Sequence, residues 1–435
     1  MQSNTQKAIH GMSSQTIVTL VLGVLEIVSF SIMSRLLNQS DFGYYAAISA
    51  VTIVFSSFSE TGIGASIIQR KDISDNFINN AFTLSLIFGS VIAFLLIISA
   101  YPLSILVADS SMMIPLMLMS VTLLANCLAS VNMSIMYRRL EFLKVGSINL
   151  ISLVLTTIIA VILAIKGLGY YAILAKAILT SIFTFILSSF SARMKYRLQI
   201  DKKTVKSIFE FSGWLMASTF FRNLSHQLDK LLMTRMLSVN ALGAYNRPKE
   251  FITHISSKLG NIFDTALFPV LSQIQDNNDS IKRAYLKSMF LLNIASIILS
   301  FGFIFNGSLI IRIFFGTEWL DVLPVFQILS FSIIFSFDAR LADCYLRSLG
   351  LTKQQFYFRI AEVIAKILGL CIGFHWGIIG VAVSVLLADF VMILSKHIYL
   401  SYRIKINVSE SITALIKAWR GNLIILPFIL LSLFL

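Results

Sequence analysis

The chain has 435 residues, of which 57% are hydrophobic and 13% charged. Ordinary soluble domains are about 45 to 50% apolar and about 25% charged, so a soluble fold is excluded. With 35 Phe but only 6 Pro, the apolar residues run in long uninterrupted stretches, and the net charge of +14 is confined mostly to the short segments between them; this is an all-α polytopic membrane protein.

A bilayer core of about 30 Å takes roughly 20 apolar residues per helix, and longer runs tilt. Twelve runs qualify: Met12 to Ser34, Tyr44 to Ile68, Asn80 to Val107, Met112 to Met136, Val145 to Ile165, Leu168 to Ala192, Phe211 to Leu237, Phe251 to Ile274, Leu286 to Phe315, Val322 to Leu349, Phe356 to Trp376 and Ile378 to Tyr402. A thirteenth begins near Asn422 and reaches Leu435, either a truncated helix or a short interfacial one. The first run carries Glu26 and no A-x-A cleavage pattern follows it, so it reads as a retained helix. Cys127, Cys344 and Cys371 lie in apolar runs without metal or redox spacing and read as packing residues. Trp214, Trp319, Trp376 and Trp419 lie near run ends, where amphipathic rings prefer to sit.

Basic side chains resist translocation, so the loops that hold them stay cytoplasmic. Lys7, Arg70, Lys71, Arg138, Arg139, Lys144, the segment Arg193 to Lys206, Lys282, Arg283, Lys287, Lys353, Arg359 and the segment Arg403 to Arg420 all fall on one side. The opposite side holds little beyond Lys166, Arg235, Arg247, Lys249 and Arg312. The N-terminus is therefore expected in the cytoplasm, with anionic membrane lipids rather than nucleic acid as the partner of the positive charge.

The connector around Lys195 to Lys206 divides the twelve runs into two sets of six, and a shift of 200 residues lays one set over the other. Arg35, Leu37, Gly43 and Tyr45 then meet Arg235, Leu237, Gly243 and Tyr245, and Glu26 falls opposite His226. Looser echoes pair Tyr137-Arg-Arg-Leu140 with Leu346-Arg-Ser-Leu349, and Lys166-Gly-Leu-Gly-Tyr-Tyr-Ala172 with Trp376-Gly-Ile-Ile-Gly-Val-Ala382. The expected organisation is a six-helix lobe over 1–200, a second over 201–402, and an amphipathic linker with a partial thirteenth span over 403–435. An even number of spans preserves orientation, so the two lobes should be related by a pseudo-two-fold along the membrane normal.

Ionisable residues at bilayer depth cost about 2.5 to 3.5 kcal/mol each and normally face protein or a wet cavity. The first six runs hold mainly Glu26, Glu60 and Lys176; the second six hold Arg222, His226, Asp229, Lys230, His254, Lys258, Asp264, Asp338, Arg340, Asp343, Glu362, Lys366 and Asp389. Arg222, His226, Asp229 and Met233 share a helical face, with Lys230 beside it, and Glu250, His254, Lys258 and Asn261 share another. These two stripes either line a net-positive cavity or hold neighbouring helices together through pairs such as Asp229 with Lys258. Asp338, Arg340, Asp343, Glu362 and Lys366 form a nearly balanced set, to be read as structural salt bridges or as an inner gate; Glu362 and Lys366 have the i, i+4 order of a helix pair. Glu26 is a candidate for proton or cation coupling, or a carboxylate hydrogen-bonded to a nearby hydroxyl. Glu60, in Ser56-Ser-Phe-Ser-Glu-Thr61, is a weaker coupling candidate near a solvated helix end. Two histidines without a matching acid or thiol set give no metal site.

No G-x-x-x-x-G-K-[ST] motif, nucleophile elbow or zinc-protease motif is present, so no ATP motor or recognisable catalytic centre is expected, nor any cofactor beyond a proton or sodium gradient. The opening Ser34-Arg-Leu-Leu…Asp-Phe-Gly-Tyr-Tyr45, with Gly62-Ile-Gly64-Ala-Ser-Ile-Ile-Gln69, Met136-Tyr-Arg-Arg139 and Tyr245-Asn-Arg247, resembles the Wzx-type polysaccharide flippases. These are a branch of the superfamily that also holds the multidrug and toxic-compound extrusion (MATE) transporters. The resemblance implies a MATE-like pair of lobes that alternates between inward-open and outward-open forms. It also implies flipping of an undecaprenyl-diphosphate-linked oligosaccharide across the bacterial inner membrane, upstream of a polysaccharide polymerase and export machinery. A diphosphate calls for fixed cations, for which Arg222, Lys230, Arg247 and Lys258 are the candidates, with His226 and His254 on the same stripes. Asn223, Gln227 and Asn261 could bond sugar hydroxyls. The alternatives are a drug or organic-cation extruder on the same scaffold, a membrane-embedded glycosyltransferase or polymerase, and a non-transporting partner in an assembly complex.

Overall fold

A computed structural model describes residues 4–57, 63–69, 73–106, 110–194, 196–274 and 278–405, and among these there are helices and turns but no strand. The helices are α1 (Asn4–Leu36), α2 (Gln39–Ser56), α3 (Ile63–Gln69), α4 (Asp75–Leu106), α5 (Met113–Arg138), α6 (Phe142–Ile165), α7 (Tyr170–Ala192) and α8 (Lys202–Met236). They continue with α9 (Val239–Ile274), α10 (Asn278–Phe305), α11 (Gly307–Phe314), α12 (Leu323–Ser330), α13 (Ser332–Ser348), α14 (Thr352–Gly373) and α15 (Gly377–Ile404). Eight stretches of the described residues are long and apolar enough to cross a membrane, the last of which, Lys353–Ile404, contains both α14 and α15. The chain is a multi-pass helical membrane protein. The helices α8 and α9, which carry the charged stripes, have 35 and 36 residues and are about 50 Å long, more than the bilayer core requires.

The expected apolar runs fall on these helices in order, but three of them are interrupted. The second is divided between α2 and α3, the ninth between α10 and α11, and the tenth between α12 and α13. At the α10–α11 break the Asn306 amide turns back to donate to the Gly302 carbonyl at 3.0 Å. The buried Gly307 then lets Leu323 approach, where a Cβ would lie 2.9 Å from its Cδ1.

The chain forms two compact units, Met1–Arg235 and Met236–Leu435, so the division falls at the end of α8. In the first unit, α5 packs on α4 and α7, and α6 lies between α1 and α7. Small hydroxyl residues let these helices approach: Thr156 meets Thr180 at 2.9 Å, and Thr184 donates to Ser152 at 3.4 Å. Arg139 donates to the Ala192 carbonyl at 3.0 Å, which satisfies an acceptor left over at the end of α7. The connector after α7 runs along α4: the backbone N–H groups of Arg197, Gln199 and Asp201 donate to Asn79, Thr83 and Asn80 at 3.1, 3.0 and 2.6 Å. Tyr196 stacks on Phe82 at 3.9 Å and donates to Asn132. Burial pushes its phenol up to about 12, with Arg139 opposing the shift. Asp201 then starts α8 by accepting from the Thr204 N–H at 3.0 Å.

In the second unit, Phe251 of α9 packs among Phe303, Phe314, Phe315 and Phe326, with ring centroids 5.1 to 6.4 Å apart. Phe315 and Phe326 are fully buried. The α14–α15 hairpin is closed by glycines: a Cβ on Gly373 would stand 2.7 Å from the Gly380 carbonyl oxygen.

Candidate functional site

On α8, Asn223 donates to Ser57 Oγ at 2.9 Å, while Arg222 and His226 are exposed. Further along, Gln227 and Asp229 are buried and Lys230 is half-buried. The stripe expected as one face is therefore divided, its first two members open and Asp229 and Met233 inside. Asp229 accepts from the backbone N–H of Lys230 at 3.0 Å. Gln227 keeps a buried Oε1 with no hydrogen-bond partner among the described residues. Elsewhere in this unit Lys176 on α7 donates to Ser29, as does Thr157 at 3.2 Å, one turn along α1 from the half-buried Glu26. Glu60 lies outside the described residues.

On α9, the buried Arg247 pairs with Glu250 at 3.1 Å, His254 is exposed and Lys258 half-buried. Asn261 accepts from the Arg340 guanidinium at 3.0 Å. Arg340 lies across Gly260, where a Cβ would be 2.7 Å from its Nε. It borders a hollow of about 210 Å³ that includes open solvent and is otherwise lined by Phe263, Leu267, Leu292, Phe337 and Leu341. The structure thus brings Arg340 to the α9 stripe.

The remaining charges of the balanced set take different partners. Asp338 accepts from Asn293 at 2.9 Å. Lys366 pairs across the hairpin with Asp389 at 3.2 Å. Asp343 and Glu362 come together around two cations that sequence reasoning missed, Arg359 and Lys396. Arg359 bridges both carboxylates, at 2.9 Å to Glu362, and also pairs with Asp343. The fully buried Lys396 reaches Glu362 at 2.6 Å and Asp343 at 3.3 Å. The group holds two acids and two bases on α13, α14 and α15, so its net charge is zero. The signal for Lys396 was its place inside the last apolar run. Arg359 looked like a loop residue because it follows the α13–α14 turn by two helical turns. Among the described residues no cluster of His, Cys, Asp and Glu could hold a metal ion.

The fold and these polar stripes define a multi-pass helical membrane protein with charged groups held among its helices. Solved structures of that architecture align over most of the chain: the lipid II flippase MurJ, inward closed, at TM-score 0.71 and 16% identity, covering 95% of this chain and 92% of that one. An inward-facing multidrug resistance MATE family transporter aligns at TM-score 0.73 and 13% identity, covering 92% and 98%. Residues 32–324 match the family described as "Polysaccharide biosynthesis protein", and the chain belongs to that family. Its relatives include the lipopolysaccharide biosynthesis protein WzxC of Escherichia coli (strain K12), 24% identical over 74% of this chain and 66% of that protein. The teichuronic acid biosynthesis protein TuaB of Bacillus subtilis (strain 168) is 22% identical over 96% and 87%. The succinoglycan biosynthesis transport protein ExoT of Rhizobium meliloti (strain 1021) is 22% identical over 78% and 69%.

Proposed function

We propose that this protein is a carrier, not an enzyme, that moves a diphosphate-linked oligosaccharide on a prenyl lipid across the bacterial inner membrane by alternating access. The observation that carries the reading is the run of basic residues on α8 and α9, Arg222, Lys230, Arg247 and Lys258, within a family that serves polysaccharide biosynthesis. A diphosphate leaves water only where fixed cations replace its hydration, and Arg and Lys provide them in two forms, a planar fork and a point charge. The prenyl chain stays in lipid. Substrate can shift the inward/outward equilibrium only if these cations bind it differently in the two states. The names of WzxC, TuaB and ExoT, which span lipopolysaccharide, teichuronic acid and succinoglycan, support a glycan cargo that differs between relatives.

The N-terminus lies in the cytoplasm on this reading, and a polysaccharide polymerase takes the cargo on the far side. Two six-helix lobes, 1–200 and 201–402, arise by duplication. The amide residues Asn223, Gln227 and Asn261 contact sugar, with His226 and His254 at the rim. Glu26, with Lys176 and Ser29 nearby, and secondarily Glu60, couple transport to a proton or sodium gradient.

The test is flipping in proteoliposomes that contain a fluorescent undecaprenyl-diphosphate oligosaccharide, with and without an imposed gradient. Protein-dependent appearance of the head group in the opposite leaflet is expected, and Arg222→Gln with Lys258→Gln should lower it at least about tenfold. No movement of any lipid-linked glycan, with efflux of organic cations instead, would replace the carrier's cargo. Glu26→Gln should flatten the gradient dependence.

A further inference from the structure

At the end of the first unit where α1 meets α2 and α6 meets α7, three tyrosine rings form a stack. Tyr44 lies 4.8 Å from Tyr170 at an interplanar angle of 23°, and Tyr170 lies 4.4 Å from Tyr171 at 26°. Tyr171, at the outside of the stack, is 39% exposed. One carboxylate holds the arrangement. Asp41 closes a capping box with Asn38 at the start of α2, and its Oδ1 also accepts from the Tyr170 N–H at 2.9 Å. Gly169, at φ +56, passes so close that a Cβ would be 2.6 Å from that oxygen. The exposed Lys166 begins the same turn.

The second unit builds the same corner without the stack. Ser238 accepts from the Ala241 N–H at 3.1 Å, as Asn38 accepts from Asp41 at 2.9 Å. Gly377 takes φ +63 where Gly167 takes +79. The helices α9 and α15 touch, as α2 and α7 do. Yet the positions that echo Asp41, Tyr44, Tyr170 and Tyr171 hold Ala241, Ala244, Gly380 and Val381. Closing the corner therefore does not require aromatic rings or the acid that fixes them. The first unit has added a rigid aromatic surface to a joint that folds without one.

We propose that the Tyr44–Tyr170–Tyr171 stack is a binding platform for a pyranose ring of the glycan cargo. The axial C–H bonds of a pyranose carry partial positive charge and make a flat, weakly apolar face. A tyrosine ring presents the complementary negative π-face, and a ring already held by stacking loses little freedom on binding. On the orientation proposed above, this end faces away from the cytoplasm, so the platform meets the sugar on the arrival side. The proposal rests on the carrier reading for its sugar-bearing ligand, and it assigns the contact to residues other than the basic ones of α8 and α9.

The experiment uses the full chain in detergent micelles, with methyl α-glucopyranoside, methyl α-galactopyranoside and methyl N-acetyl-β-glucosaminide as probes. Saturation-transfer difference NMR, irradiating aromatic protons, should show transfer to the axial sugar protons. Tyr171→Leu, which keeps the apolar bulk but removes the π-face, should reduce it about fivefold, and Tyr171→Trp should retain it. Equal transfer in Tyr171→Leu, or none from the wild type to any of the three sugars, overturns the proposal and leaves the ring as an interfacial anchor. In proteoliposomes, slower flipping of the lipid-linked glycan by Tyr171→Leu supports the platform, and unchanged flipping overturns it. If the wild type flips nothing, the carrier reading fails, while the NMR result still decides whether the sugar platform exists.

Discussion

Lys396 is a long cationic side chain with no exposure, held between Asp343 and Glu362 and matched by Arg359. Removing one member of such a group leaves a buried charge without compensation. Lys396→Met should therefore cost about 3 to 5 kcal/mol, seen as a large fall in melting temperature in detergent. The double variant Lys396→Met with Glu362→Gln should recover part of the loss, because it removes one acid with one base. A Lys396→Met protein that melts with the wild type would show that the four charges carry no structural weight. Asp343 and Glu362 were legible from sequence as intramembrane acids, but their partners were not. Lys396 lies 53 residues from Asp343 and 34 from Glu362, and the i, i+4 spacing of Glu362 and Lys366 suggested a nearer cation. Local spacing reveals pairs within a helix; the pairs that close between helices depend on how α13, α14 and α15 pack. Asp41 shows the same limit. Its capping box is readable in Asn38-Gln-Ser-Asp41, whereas its bond to the Tyr170 N–H joins residues 129 apart. Asp41→Ala should cost about 1 to 2 kcal/mol by melting, as loss of a cap does, and should also weaken saturation transfer from the aromatic rings to the sugar.

Helix breaks and close approaches decide which elements can pack. The apolar runs gave the order of the helices, since about 20 uninterrupted apolar residues leave little alternative to a span. The break at Asn306 falls on Asn306-Gly307-Ser308, a polar turn signal set between long apolar stretches, whereas the break at Phe331 was hidden within its run. Phe331 donates to the Ile328 carbonyl at 3.2 Å, a local tightening without a glycine or proline at that position to announce it. The α14–α15 hairpin is the opposite case, since its glycines are visible in sequence and the structure explains them. Gly373→Ala would push a methyl into the Gly380 carbonyl and should cost about 1 to 3 kcal/mol, measured as a lower melting temperature. A neutral result would mean that the two helices can separate by a few tenths of an ångström without loss. The connector after α7 is held along α4 by three side chains that accept from alternate backbone N–H groups. Asn80→Ala leaves the Asp201 N–H without that acceptor and should cost about 1 kcal/mol, with faster proteolytic cleavage between residues 193 and 201.

For the whole molecule, the distribution of charge sets direction. The 35 Lys and Arg residues against 21 Asp and Glu give +14, and the basic residues between helices fall predominantly on one side of the apolar runs. If those loops are cytoplasmic, a membrane-impermeant maleimide applied to right-side-out spheroplasts should label a cysteine placed at the exposed Lys166. Cysteines at Lys144 and Lys353 should react only in inside-out vesicles. The background must lack the exposed Cys371, whereas Cys127 and Cys344 are buried. The reverse pattern would invert the topology, and the consequence reaches the site. With Lys166 outside, the tyrosine stack meets the glycan on the arrival side, so weakening it should slow release or hand-over. With Lys166 inside, the same rings would meet the glycan before transport, and Tyr171→Leu should raise the cargo concentration needed for half-maximal flipping. Labelling together with the concentration dependence of flipping therefore fixes the direction of the protein and the step at which its aromatic platform acts.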